Sequence, residues 1–214
     1  MIISQGRNYI FVHIPKTGGT SMALALEAKA RADDIMLGDT PKAVKRRRRV
    51  KDVQAAGRLW KHSTLRDIVG LVSQEQIDAA NVFTMVRNPW DRAVSYYHWL
   101  RMQSFDHRAV HLAQELDFSG FLNHPHTVAS LQASTYGSYV TTASGREHCA
   151  HFVRLEHLAE DLPHVERLIG CKLGTFPHDN KSTRGNYREA YCPLDRDLIA
   201  QVAAADIARF GYKF

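Results

Sequence analysis

The stretch that most constrains this chain runs from Tyr9 to Ala30. Tyr9-Ile10-Phe11-Val12-His13-Ile14 is rich in β-branched and aromatic residues, the composition of a buried strand. Pro15-Lys16-Thr17-Gly18-Gly19-Thr20-Ser21 then turns the chain, and strong helix formers run from Ser21 to Ala30. A strand passing through paired glycines into a helix makes an anion site by construction. Gly18 and Gly19 let the backbone come close to a ligand. The amides of Thr17 to Ser21 gather at a helix N-terminus, where the peptide dipoles favour negative charge. Thr17, Thr20 and Ser21 add hydroxyl donors, and Lys16 adds a point charge. The order of residues is not that of the G-x-x-x-x-G-K-[ST] loop, because Lys16 precedes the glycines.

The same pattern returns further on. Asn81-Val82-Phe83-Thr84-Met85-Val86 reads as a second core strand, and Arg87-Asn88-Pro89-Trp90 ends it and opens a helix to about Met102. Asn88 is a good N-cap, and Pro89 suits the first helical position. Two or three helices fill 106–135, a short strand is expected over 151–155 with a helix from Glu156, and a last helix over 194–210. Residues 31–60 are polar, basic and harder to place. Strands alternating with helices indicate an α/β fold with a mainly parallel central sheet covered on both faces, which gathers ligands at the carboxyl ends of its strands. A chain of 214 residues with 44% hydrophobic content suits one domain over 1–214.

The net charge of +6 comes from one place. Lys45, Arg46, Arg47, Arg48, Arg49 and Lys51 lie within seven residues, and without them basic and acidic residues balance at 22 each. A nucleic-acid partner is therefore not expected, since such surfaces spread their charge along a face. The run reads either as a solvated segment or as an attraction for an anionic acceptor or polymer. No apolar run approaches the ~20 residues of a membrane span, and Met1 to Asn8 has no signal-peptide core, so a soluble, cytoplasmic protein is expected. Cys149, Cys171 and Cys192 have no close pairing and read as buried or neutral thiols.

The segment His13 to Ser21 resembles the 5′-phosphosulfate loop of the sulfotransferases that use 3′-phosphoadenosine 5′-phosphosulfate (PAPS), especially the carbohydrate-type family 2-like enzymes and their bacterial relatives. The resemblance implies a P-loop-like three-layer fold, with Lys16 on the phosphosulfate and Thr17, Gly18, Gly19, Thr20 and Ser21 as its cradle. Val86-Arg87-Asn88-Pro89-Trp90-Asp91-Arg92-Ala93-Val94-Ser95-Tyr96-Tyr97 is similar to the family's 3′-phosphate element, which assigns Arg87 and Ser95 to that phosphate. Asn180-Lys181-Ser182, followed by Tyr187 and by Asp206 to Tyr212, resembles the family's ending and places Lys181 and Ser182 on the cofactor side. The likeness is strong over 9–27, 81–100 and 152–214. Trp90, Tyr96 and Tyr97 read as packing residues.

Sulfuryl transfer to an alcohol needs the acceptor's proton removed, and neutral histidine suits that task near pH 7. Related sequences place a catalytic histidine in the region of Trp60-Lys61-His62-Ser63-Thr64, so His62 is the expected base; the competing reading is a histidine packed beside Trp60. His13, inside the first strand, reads as structural. His107 with His111, and His124 with His126, have spacings found among metal ligands, but nothing completes a set, and no metal is expected. The implied activity is in-line transfer from PAPS to a glycan, glycolipid or small-metabolite hydroxyl, with 3′-phosphoadenosine 5′-phosphate (PAP) as product. The rival readings are a P-loop-type small-molecule kinase and a polyanion-binding protein that uses residues 45–51.

Overall fold

The computed structural model describes residues 1–174, 176 and 185–214. The chain forms two compact units. One is built from Met1–Val86 with 137–174, the other from Arg87–Tyr136 with 185–214.

The first unit holds a sheet of β1 (Ile2–Ser4), β2 (Tyr9–Val12), β3 (Ile35–Met36), β4 (Asn81–Val86) and β5 (His151–Arg154), in the order β3-β1-β2-β4-β5. β2, β4 and β5 pair in parallel, and β1 runs antiparallel to both β2 and β3. Four of the five strands therefore point the same way. β1 is not apparent from composition, because it is three residues long; its hairpin with β2 turns through Asn8 at φ 51°.

Period-two alternation divides the core. Tyr9, Phe11, Phe83, Met85 and Val153 face one side, against Met22 and Leu26 of α1 (Gly19–Ala28). Ile10, Val12 and Val82 face the other, against Leu65, Ile68 and Ile77. α2 (Pro41–Arg46) and α3 (Gln74–Ala79) lie between β3 and β4 in the chain. α3 starts with a capping box in which Ser73 and Gln76 satisfy each other's backbone amides. Both faces of the sheet are covered, which gives the three-layer α/β arrangement.

The second unit is helical: α4 (Pro89–Arg101), α5 (Arg108–Glu115), α6 (Phe118–Asn123) and α7 (Pro125–Ala133). The chain then passes through α8 (Tyr136–Tyr139) back to the first unit, where α9 (Leu158–Ile169) follows β5. α10 (Pro193–Val202) and α11 (Ala204–Phe210) complete the second unit. Asn88 caps α4 by accepting from the Trp90 amide, with Pro89 in the first turn, as the sequence predicts. Trp90 and Tyr97 are buried in the second unit's core, where Trp90 donates to Arg196 O and Tyr97 to Leu116 O. The expected final helix is broken at Ala203. After the break, buried Asp206 accepts the Tyr136 amide at 3.0 Å.

Candidate functional site

β2 ends at Val12, two residues earlier than its composition suggests. The hydroxyl of Thr84 on β4 donates to the Val12 carbonyl at 2.7 Å, and the parallel pairing stops at that register. His13 therefore lies past the strand rather than inside it. The loop that follows is strained. Lys16 has φ 66° and Gly18 φ 84°, while Thr17 between them does not share their positive φ. Alternation of this kind turns successive amides towards one concave side. A left-handed lysine costs about 1–2 kcal/mol, and backbone strain of that size collects at functional positions.

Each glycine has a separate reason. A Cβ on Gly18 would meet Leu155 Cδ1 at 2.8 Å, besides the unfavourable φ. A Cβ on Gly19 would stand 2.1 Å from His13 Cδ2. α1 begins at Gly19 with Gly18 as its N-cap and no side-chain cap. The Ser21 amide already donates to Gly18 O at 3.2 Å, so the amides available to a ligand are those that precede it. Thr20 is exposed, and Lys16 and Ser21 are half-buried. Thr17 differs from expectation: it is fully buried, and its hydroxyl donates to Ile14 O at 2.9 Å, so that proton holds the turn together. The donors present (a lysine, uncapped helix amides and the Thr20 and Ser21 hydroxyls) fit a phosphate-type anion.

The histidine pair adjoins this loop. His13 packs its ring against Gly19, and His62 meets it edge-on at 4.6 Å. His62 Nδ1 lies 2.7 Å from the His13 carbonyl oxygen. A carbonyl only accepts, so Nδ1 carries the proton and Nε2 keeps its lone pair. Burial holds the His62 pKa down at about 4, and Lys61 adds to the effect, so the ring is neutral near pH 7. Burial, followed by the nearby positive groups, keeps His13 well below its usual value too. Trp60 lies edge-on to His62 at 4.9 Å, so the packing contact weighed from sequence is present together with the free Nε2.

In the second unit, Arg87 is the first residue after β4. Its Nε and Nη2 donate to Asp91 Oδ2 at 2.8 and 2.6 Å. The Tyr136 hydroxyl donates to the Arg87 carbonyl. Ser95 lies four residues beyond Asp91 on α4, on the same helix face. Asp91 is absent from the sequence reading. Its signal is the i, i+4 spacing from Arg87. Lys181 and Ser182 lie outside the described residues.

Other candidates resolve into structural roles. His107 caps α5 and His124 caps α7, each accepting through Nδ1. His111 pairs with Asp106. Within the basic run, Arg46 donates to Asp34 O and Arg49 to Ala32 O; Arg46 is half-buried, and Lys45, Arg47, Arg48, Arg49 and Lys51 are exposed. Among the described residues, no helix is long and apolar enough to cross a membrane.

None of the curated proteins compared with the chain matches it. Among solved structures it is similar to mouse sulfotransferase SULT7A1 complexed with PAP, at 15% identity and a TM-score of 0.48, over 95% of this chain and 87% of that one. It is also similar to a sulfotransferase from Alicyclobacillus acidocaldarius, at 14% identity and a TM-score of 0.41, over 97% and 96% of the two chains. The model of the Sulfotransferase family matches residues 1–213, nearly the whole length, and the chain belongs to that family.

Proposed function

We propose that the protein transfers a sulfuryl group from PAPS to the hydroxyl of an acceptor. The observation that carries this reading is the strained strand–loop–helix of 13–21, without a side-chain cap, beside a neutral histidine whose Nε2 has no hydrogen-bond partner among the described residues. When bound, PAPS supplies the sulfuryl group, which passes in line to the acceptor oxygen as PAP leaves. Lys16, the amides from Thr17 to Thr20 and the Ser21 hydroxyl hold the 5′-phosphosulfate and offset the charge that grows there. Their positions are set by the backbone before any ligand arrives, so little reorganisation is needed. Arg87 and Ser95 hold the 3′-phosphate, with Asp91 fixing the guanidinium as a positioning residue. Lys181 and Ser182 complete the cofactor side by the resemblance of 180–187 to the family's ending.

His62 Nε2 takes the acceptor's hydroxyl proton. Nδ1–H stays on the His13 carbonyl, which fixes both tautomer and ring plane. The imidazolium that forms is buried, and the anionic groups held by the loop stabilise it.

Thermal unfolding tests the reading directly. PAP at saturating concentration should raise the melting temperature by several degrees, and ATP with Mg²⁺ should not. The reverse ranking would remove the cofactor assignment and favour a kinase. His62→Ala should keep the PAP shift and lose transfer by about 10²–10⁴-fold.

A further inference from the structure

Within the first unit, a cleft of about 240 Å³ opens beside the loop. Thr20 and Leu24 of α1 form one wall, and Met36 and Leu37 another. His13 and the pair Asp39 and Lys61 also line it.

Size, charge and hydrogen bonding each limit what the cleft can hold. Its volume equals roughly eight liquid waters and lies below the ~300–1,000 Å³ of pockets for drug-sized ligands. That space takes a one- or two-ring body. Lys61 and Asp39 cancel, because Lys61 Nζ contacts Asp39 Oδ2 at 2.5 Å, while the Met1 amino group donates to Leu37 O and Lys61 O and burial holds its pKa down at about 4. The walls are otherwise largely apolar and give a sugar few partners for its hydroxyls.

His13 supplies the third limit. It is only 6% exposed, and among the described residues neither of its ring nitrogens hydrogen-bonds within the chain. Neither nitrogen is among the buried side-chain atoms that lack a partner, so both keep contact with solvent, and a ligand in the cleft would replace water there. Neutral imidazole offers one N–H, which can donate to a hydroxyl oxygen and leave that hydroxyl's own proton available to another base.

We propose that this cleft receives the acceptor, and that the acceptor is a small uncharged alcohol or phenol. Its apolar body rests on Leu24, Met36 and Leu37, and its hydroxyl oxygen accepts from the His13 ring N–H beside Thr20, which leaves the hydroxyl's own proton for His62. The assignment as acceptor site rests on the sulfotransferase reading of the neighbouring loop; the cleft's preference for such a ligand does not.

Equilibrium binding of 2-naphthol without cofactor, followed by its fluorescence, tests the ligand class, with naphthalene and a uronic-acid disaccharide as comparators. Wild-type protein should bind 2-naphthol at least fivefold more tightly than either. Leu24→Trp fills the cleft from a half-buried position and should weaken 2-naphthol at least tenfold, with the melting shift by PAP unchanged. His13→Phe should abolish the advantage of 2-naphthol over naphthalene. With labelled PAPS, wild-type protein should form 2-naphthyl sulfate. Preference for the disaccharide, or 2-naphthol binding unaffected by Leu24→Trp, overturns the proposal. If 2-naphthol binds as expected but PAP does not bind, the sulfotransferase reading fails, and the cleft's role as an acceptor site with it. If PAP binds but 2-naphthol does not, the cleft assignment fails alone.

Discussion

The 13–21 loop and the Arg87–Ser95 element are both proposed anion sites, and they are built from different material. The loop is made mostly of backbone. Positive φ at Lys16 and Gly18, close packing of Gly18 on Leu155 and of Gly19 on His13, and an uncapped helix start define it before any side-chain charge is counted. The Arg87 element is made of side chains. A guanidinium with two bonds to Asp91 projects from a well-capped helix start. A backbone site tolerates almost no substitution at its glycines. A side-chain site can be tuned through the partner that orients it.

The largest effect should follow from the loop's one cation. Lys16→Ala should reduce transfer by about 10²–10³-fold, the range for losing one pre-positioned group that stabilises developing charge. Single-turnover transfer with labelled PAPS measures it, and a loss under tenfold would mean that the backbone amides do most of the work.

Arg87→Ala should weaken PAP by about 10–100-fold, in keeping with losing a charge-assisted bidentate contact. Adenosine 5′-phosphosulfate, which lacks the 3′-phosphate, should bind the variant and the wild type alike by calorimetry. Equal losses for both ligands would break the division of labour between the two elements. Asp91→Asn should change PAP affinity only a few-fold, because the guanidinium keeps its charge and loses only its orientation.

The histidine beside the loop makes a pH prediction. With a folded pKa of about 4 against 6.5 in the unfolded chain, His62 binds its proton more readily when unfolded. Stability is therefore complete above about pH 6.5 and declines as the pH falls towards 4. The charges acting on His62 include Lys61, the Met1 ammonium and Asp39, and His13 contributes a decline in the same direction. His62→Asn should recover about 2–3 kcal/mol of the loss at pH 4. Denaturant unfolding at pH 7 and pH 4 gives the difference, and an unchanged slope would mean that the ring is less buried than its packing implies.

The smallest effect separates strain from chemistry. Lys16→Gly should raise stability by about 1 kcal/mol, since glycine adopts positive φ freely, and should lose transfer as Lys16→Ala does. If Lys16→Gly is no more stable than Lys16→Ala, the left-handed lysine stores no strain.

Much of this was legible in the residues themselves. The β-branched runs at 9–12 and 81–86, the capping pattern Asn88-Pro89, and the glycines after the first strand are local signals, and they specify the parallel strands and the helices that follow them. β1 and β3 were not legible. They are three and two residues long, and exist because neighbouring strands supply their hydrogen bonds. The basic run likewise reads as one block of charge, yet Arg46 and Arg49 are held on the carbonyls of Asp34 and Ala32, and only Arg46 is half-buried among its six cations.

Local structure, carried by residues adjacent in the chain, was thus settled by sequence alone: a strand, a glycine-containing turn and a helix, with an arginine-led strand-to-helix junction after the second core strand. Tertiary structure decided which groups are spent and which are left over. Thr17 donates to Ile14 O, Asp91 holds Arg87, and the His13 carbonyl takes Nδ1–H of His62, 49 residues away in the chain. The physical reason is that burial and hydrogen-bond partnership are properties of the packed interior. No spacing in the sequence encodes that His13 ends at the wall of a cleft with a neutral ring that has no hydrogen-bond partner among the described residues.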